Sequence, residues 1–297
     1  MIGELAALGA ALSWTVSAVL YKKALSETKP ISANIVRLAC TTTVLLLFLL
    51  VIGRFGVVTS LPIDVAVLAS VSGIIGLGLG DTLYMVSLKS IGVVRAVPIT
   101  CTYPLFNLLW TALLGEEQIT LSVVLGAVAI VLGIWLLSQD NETKNSAMSG
   151  NTLIKGVAFA LATAVFWSVS ITMINVAVKE TGSLDNALAI NTVRVTAIAI
   201  VLLASAPLTD REYGFLKVQK KTLITLILGG IIALGLGWFF LTYSFVVTLG
   251  SRAVPISSTT PLFSTLFGIV FLHEKVTVKS ALGSLIIVVG IFLIFAL

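Results

Sequence analysis

Apolar residues run through this chain in stretches of about 20, the length that crosses a bilayer as a helix, with short polar breaks between them. They recur at roughly 3–22, 31–52, 63–88, 93–114, 119–138, 153–178, 184–206, 222–247, 252–272 and 277–296. The pattern predicts an all-α integral membrane protein of ten transmembrane helices. Composition agrees: of 297 residues, 58% are hydrophobic and 10% charged, with a mean hydropathy of +1.12, where soluble proteins average about 25% charged. No polar segment is long enough to bury a core of its own, which excludes a separate soluble catalytic domain. The first apolar run carries Glu4 and has no basic region before it, so it reads as a membrane helix and not as a cleaved signal peptide.

The pattern is also written twice. Shifting the sequence by 157 residues places GIIGLGLGD, at 73–81, over GIIALGLGW, at 230–238, and 20 of the 48 positions from 73 to 120 are then identical. The same shift pairs Asn34 with Asn191, Arg37 with Arg194 and Glu117 with Glu274, while Trp14 and Trp167 correspond at an offset of 153. Each half, 1–138 and 153–297, holds five predicted helices, and the polar stretch 139–152 links them. An odd number makes the second half enter the membrane from the opposite side. The expectation is two inverted five-helix repeats, with a substrate site near the midplane between them.

Candidate chemistry is sparse. Gly78-Leu79-Gly80-Asp81 spells GxGD, a pattern of intramembrane aspartyl proteases, but the repeat matches Asp81 to Trp238 and no second deep acid follows. The protease reading fails for want of a partner. Gly76 and Gly80 lie one helical turn apart, a small-xxx-small face for close packing, with a hinge as the other reading. Asp81, deep in a helix, is expected to face a cavity or a partner, as a structural pair or as a binder of substrate or protons. Two prolines six apart enter each fourth helix, Pro98 with Pro104 and Pro255 with Pro261. They predict a kink whose freed carbonyls neighbouring hydroxyls such as Thr259, which is also a candidate for the cavity wall, can engage; the kink is either static or a moving gate.

Trp14, Trp167, Trp238, Tyr84, Tyr103 and Tyr243 can build an aromatic-lined pocket, or some of them anchor at the interface. Trp14 and Trp167, flanked by hydroxyls in a repeated context, favour the pocket. Arg37 and Arg194, about two turns inside their helices, are expected to snorkel to the headgroups. Glu117 and Glu274 are expected to be structural at the water boundary. With one histidine, His273, and two separated cysteines, Cys40 and Cys101, no metal site is expected and a Ser-His-Asp site is disfavoured. No cofactor is implied. The net charge of +5 sits on loops and does not indicate nucleic acid.

The early tryptophans, the NxxR segments at 34–37 and 191–194, and the RAVPI…PLF…E blocks ending at Glu117 and Glu274 together resemble the drug/metabolite transporter superfamily, in particular ten-helix permeases with two EamA domains. The resemblance implies that four helices of each half surround a central cavity and the fifth packs outside. It also implies transport of a small metabolite such as an amino acid or drug, often by export, at the cell membrane. A membrane enzyme or a helical scaffold or sensor is the alternative. Proton coupling is open, with Asp81 the deep acid that would carry it. Oligomeric state is not read from the sequence. Basic residues concentrate on the linkers after odd-numbered helices, which places those linkers in the cytoplasm and both termini outside, whereas the family usually keeps both termini inside.

Overall fold

A computed structural model of the chain describes residues 2–113, 120–138, 150–181, 183–248, 250–274 and 276–295. Every regular element among them is a helix: α1 (Ile2–Ala24), α2 (Pro30–Val51), the short α3 (Phe55–Thr59), α4 (Ile63–Gly73), α5 (Asp81–Ile91), α6 (Val93–Thr100), α7 (Tyr103–Leu113) and α8 (Leu121–Ser138). The second part continues with α9 (Gly150–Thr181), α10 (Leu184–Thr209), α11 (Lys220–Gly230), α12 (Trp238–Val247), α13 (Gly250–Ser257), α14 (Thr260–Leu272) and α15 (Val278–Phe295).

Among the described residues, six continuous helices are long and apolar enough to cross a membrane, including Ile63–Ile91 and Lys220–Val247. The other expected spans are shorter or interrupted. The fourth breaks between α6 and α7 and the ninth between α13 and α14, directly after the first proline of each pair. There Thr102 Oγ1 donates to Ile99 O at 2.7 Å and Thr259 Oγ1 to Ile256 O at 2.7 Å. Hydroxyls thus engage carbonyls at each break, as membrane burial demands of any interrupted helix.

Local sequence sets the boundaries. Pro30 begins α2, where its missing N–H costs nothing. Ser183 caps α10 by accepting from Asn186 N at 3.1 Å. Gly92 joins α5 to α6 at φ +80°, a conformation open to glycine without strain.

The halves interlock. α1 packs against α11, α12, α13 and α14, and α9 packs against α4, α5, α6 and α7, so the leading helix of each half is seated in the other. α8 and α15 pack on each other. A Cβ on Gly133 would lie 2.7 Å from Gly283 O, and one on Gly290 2.8 Å from Gly126 O, the close approach that small residues allow membrane helices. Apolar side chains such as Leu125, Val131, Leu132, Leu266 and Leu285 face outward, a surface suited to lipid.

Candidate functional site

Two interruptions of α-helical geometry lie at the centre of the bundle. Ile74–Gly80 joins α4 to α5, and Ile231–Gly237 joins α11 to α12, each as a π-helical segment. A π turn widens the helix and loosens its hydrogen-bond ladder, an arrangement that concentrates at functional sites. The repeated asparagines brace both: Asn34 Nδ2 donates to Leu77 O at 2.9 Å, and Asn191 Nδ2 to Leu234 O at 2.7 Å. The last glycine of each segment receives a tryptophan of the opposite half. A Cβ on Gly80 would stand 2.9 Å from Trp167 Cδ1, and one on Gly237 would stand 2.7 Å from Trp14 Nε1. The glycines are therefore packing sites, as the small-residue spacing suggested, within segments that sequence spacing alone treats as plain α-helix.

The charges are deeper than expected. Arg37 and Arg194 are fully buried, at 1% and 0% exposure, which overturns the snorkelling expectation. Their partners explain why they stay inside. Arg37 forms an ion pair with Asp81 Oδ2, donates from Nε to Asn34 Oδ1 at 2.9 Å, and lies 4.9 Å from the Tyr21 ring centre. Trp167 Nε1 donates to the other Asp81 oxygen at 2.7 Å. Tyr21 is held in turn by its hydroxyl, which donates to Gly229 O at 2.8 Å. In the second half Trp238 stands where the first has Asp81, and Arg194 stacks on its ring at 3.7 Å while donating to Ser170 Oγ at 2.7 Å.

Around this centre lies a small, partly open cavity of about 50 Å³, below the roughly 300–1,000 Å³ usual for small-molecule sites, so a bound solute requires its walls to part. Trp14, Asp81, Tyr84 and Tyr103 line it from the first half, and Trp167, Trp238 and Thr260 from the second. Trp14 meets Trp238 edge-on at 5.4 Å, and Tyr84 meets Trp167 at 5.1 Å. Tyr103 donates to or accepts from Ser257 Oγ at 3.0 Å and accepts from Ser258 Oγ at 3.2 Å, tying the α6–α7 segment to the break after α13.

Six of the eight expected pocket residues thus come together. Tyr243 and Thr259 do not line the cavity; Tyr243 stacks on Phe239 with centroids 6.2 Å apart, because α12 turns that face away from the centre. Thr260, the next residue, takes the place expected of Thr259. Arg37, Tyr21, Ser17 and Cys101 also reach the cavity wall. Pro98, Pro104 and Pro261 are buried beside the helix breaks, whereas the Pro255 side chain and Glu117 lie outside the described residues. Glu274 does more than sit at a boundary: its two oxygens accept from Val93 N and Val94 N at 2.9 Å each, capping α6 of the other half.

A multi-pass helical bundle with a central aromatic cavity and the buried Arg37–Asp81 ion pair has the architecture of a membrane protein. The chain belongs to the EamA-like transporter family, within the drug/metabolite transporter superfamily, with matches over residues 1–139 and 154–296. It is similar to an "uncharacterized transporter" of Archaeoglobus fulgidus, 24% identical over 294 residues that cover 99% of this chain and 98% of the relative. It is also similar to the "uncharacterized transporter YvbV" of Bacillus subtilis, 27% identical over 193 residues that cover 64% and 57% of the two chains. A protein of known crystal structure shares the fold with a TM-score of 0.66 at 21% identity, over 98% of this chain and 95% of its own. The protein is accordingly a multi-pass membrane protein of a transporter family.

Proposed function

We propose that the protein is a secondary transporter of ten membrane crossings, arranged as two inverted five-helix halves, which exports a small metabolite through the central cavity by alternating access. The carrying observation is that one cavity is walled by both halves, with Trp14, Tyr84 and Tyr103 facing Trp167, Trp238 and Thr260. Rocking the halves about that cavity changes which end is open. The π segments and the breaks after Pro98 and in the α13–α14 region are the places where the helices bend.

Polar ties across the halves cluster at the end of the bundle holding the α1–α2 linker. Ser32 Oγ donates to Asp210 at 2.8 Å, Lys29 pairs with Glu212 at 2.7 Å, and Glu274 caps α6. Toward the other end the ties include the exposed pair Arg54–Asp185 at 2.9 Å and the bonds of α7 to α9, Trp110 Nε1 to Ser168 Oγ at 2.8 Å and Thr172 Oγ1 to Asn107 Oδ1 at 3.4 Å. This arrangement fits a conformer closed at the first end. Charge bias places that end in the cytoplasm of a cell-membrane protein, and the conformer is then outward-facing. Asp81 is the acid on the cavity wall, so proton coupling would act through it and would require Arg37 to release it.

Reconstituted protein supplied with a panel of labelled amino acids and cationic drugs tests the reading by counterflow. At least one solute accumulates, and Trp167→Ala abolishes that accumulation. Failure of every solute, or full activity in Trp167→Ala, contradicts it. Ser26→Cys in the α1–α2 linker reads orientation: labelling of intact cells by an impermeant thiol reagent would place that linker outside and reverse the assignment.

A further inference from the structure

The two halves carry the same set of hydrogen-bond donors, with Arg37 on the cavity wall and Arg194 stacked on Trp238, which itself lines the cavity, but the first half alone supplies a carboxylate for them. In the first half the Asp81 carboxylate is gripped by Arg37 and by Trp167 Nε1. The sequence repeat places Arg194 at the position of Arg37, Trp14 at that of Trp167, and Trp238 at that of Asp81. The second donor set is intact and only partly used, Arg194 donating from Nη2 to Ser170 Oγ at 2.7 Å. Arg194 Nε and Nη1 have no hydrogen-bond partner among the described residues, and neither has Asn191 Oδ1. Arg37 Nε, by contrast, is paired with Asn34 Oδ1. Trp14 lines the cavity, and its indole N–H donates to none of the described residues.

Placement is repeated along with identity. Trp14 Nε1 lies against Gly237 as Trp167 Nε1 lies against Gly80, at 2.7 Å and 3.1 Å from a Cβ built on each glycine. The electrostatics point the same way. Two buried guanidinium groups share one carboxylate, and the face of Trp238 offsets only part of the cost of a buried cation. A ligand carrying one negative charge brings the cluster to neutrality.

We propose that the cavity binds a small organic carboxylate, whose carboxylate group lies between Trp14 Nε1 and Arg194 as that of Asp81 lies between Trp167 Nε1 and Arg37. The Trp238 ring, stacked on Arg194 and edge-on to Trp14, covers that position and swings aside as the ligand enters. The flat walls offered by Trp14, Tyr84 and Trp167 suit an aromatic body. The proposal rests on the transporter reading for its biological role, but binding is measured apart from transport.

The test uses the purified full chain in detergent micelles and three probes of one shape: benzoate, benzylamine and benzyl alcohol. Thermal shift and calorimetry are expected to show binding of benzoate in the millimolar range or tighter, and not of the other two. Trp14→Phe, which keeps a ring and removes the N–H, raises the benzoate Kd by about tenfold or more, the loss expected of a hydrogen bond to a charged group. Trp238→Asp writes the missing carboxylate into the second half, and the folded variant no longer binds benzoate. Stronger binding of benzylamine, no binding of benzoate, or an unchanged Kd in Trp14→Phe overturns the proposal. If Trp238→Asp does not fold, Trp14→Phe decides alone. Benzoate binding by a protein that transports no solute would keep the site and remove the transporter reading. Transport without benzoate binding would do the reverse.

Discussion

Replacing Asp81 by Asn keeps the shape of the side chain and removes its charge, and so tests how the buried centre is held together. In the native protein the Arg37 and Asp81 side chains are 2% and 6% exposed, and each Asp81 oxygen has a donor. The substituted amide would still accept from Trp167 Nε1, but Arg37 would be left charged and buried without a counter-ion. Removing one partner of such a pair costs about 3–5 kcal/mol. Arg37 keeps Asn34 Oδ1 and the face of Tyr21, which favours the lower end, about 3 kcal/mol. Arg37→Gln combined with Asp81→Asn removes both charges and leaves two amides able to bond each other. The double variant is expected to recover at least half of the loss, a coupling of about 1.5 kcal/mol or more. Tryptophan fluorescence during unfolding in mixed micelles of rising SDS fraction reads all four proteins. A stability for Asp81→Asn within about 0.5 kcal/mol of the native protein would show that Arg37 does not depend on this carboxylate.

Other consequences follow from the same contacts. Gly80→Val and Gly237→Val each drive a side chain into a tryptophan of the opposite half; overpacking of this kind costs about 1–3 kcal/mol, and both variants should melt earlier than Gly56→Val, which meets nothing within 4 Å. Glu274→Ala removes two charge-assisted bonds to Val93 N and Val94 N, with an expected loss of at least about 1.5 kcal/mol that Glu274→Gln recovers in part, measured by the same SDS titration. Tyr103→Phe frees Ser257 and Ser258 at about 1 kcal/mol, and is expected to change the rate of exchange across the membrane more than the affinity for ligand; equal rates in a counterflow time course would count against a moving break.

Much of this organisation is legible in the sequence because a membrane leaves few choices. Spans of apolar residues must be helical, and a 157-residue repeat must bring equivalent positions into equivalent roles, so Trp14, Trp167, Trp238, Asp81, Tyr84 and Tyr103 could be named as neighbours. Arg37 and Arg194 were misplaced because depth along a helix does not say which face meets the bundle. The signal lay in the alignment itself, where Asn34 and Arg37 stand three residues apart on one face and recur as Asn191 and Arg194. Tyr243 failed for the same reason in reverse, being aromatic and at cavity depth but on the far side of α12. The π geometry of Ile74–Gly80 and Ile231–Gly237 has no periodicity signal in so apolar a stretch, since every register looks alike. The reach of Glu274 to α6 depends on how the halves interlock, which spacing within one half does not encode.

If the aromatic cavity between the halves is a water-accessible route for solute, Cys101 on its wall reports it directly. In a Cys40→Ala background it is the sole thiol. Proteoliposomes carrying that protein should react with a small, membrane-impermeant thiol reagent as the cavity opens, and a bound ligand should slow the reaction. Full protection of Cys101 in the folded protein from either face, with prompt reaction once SDS unfolds it, would contradict the account.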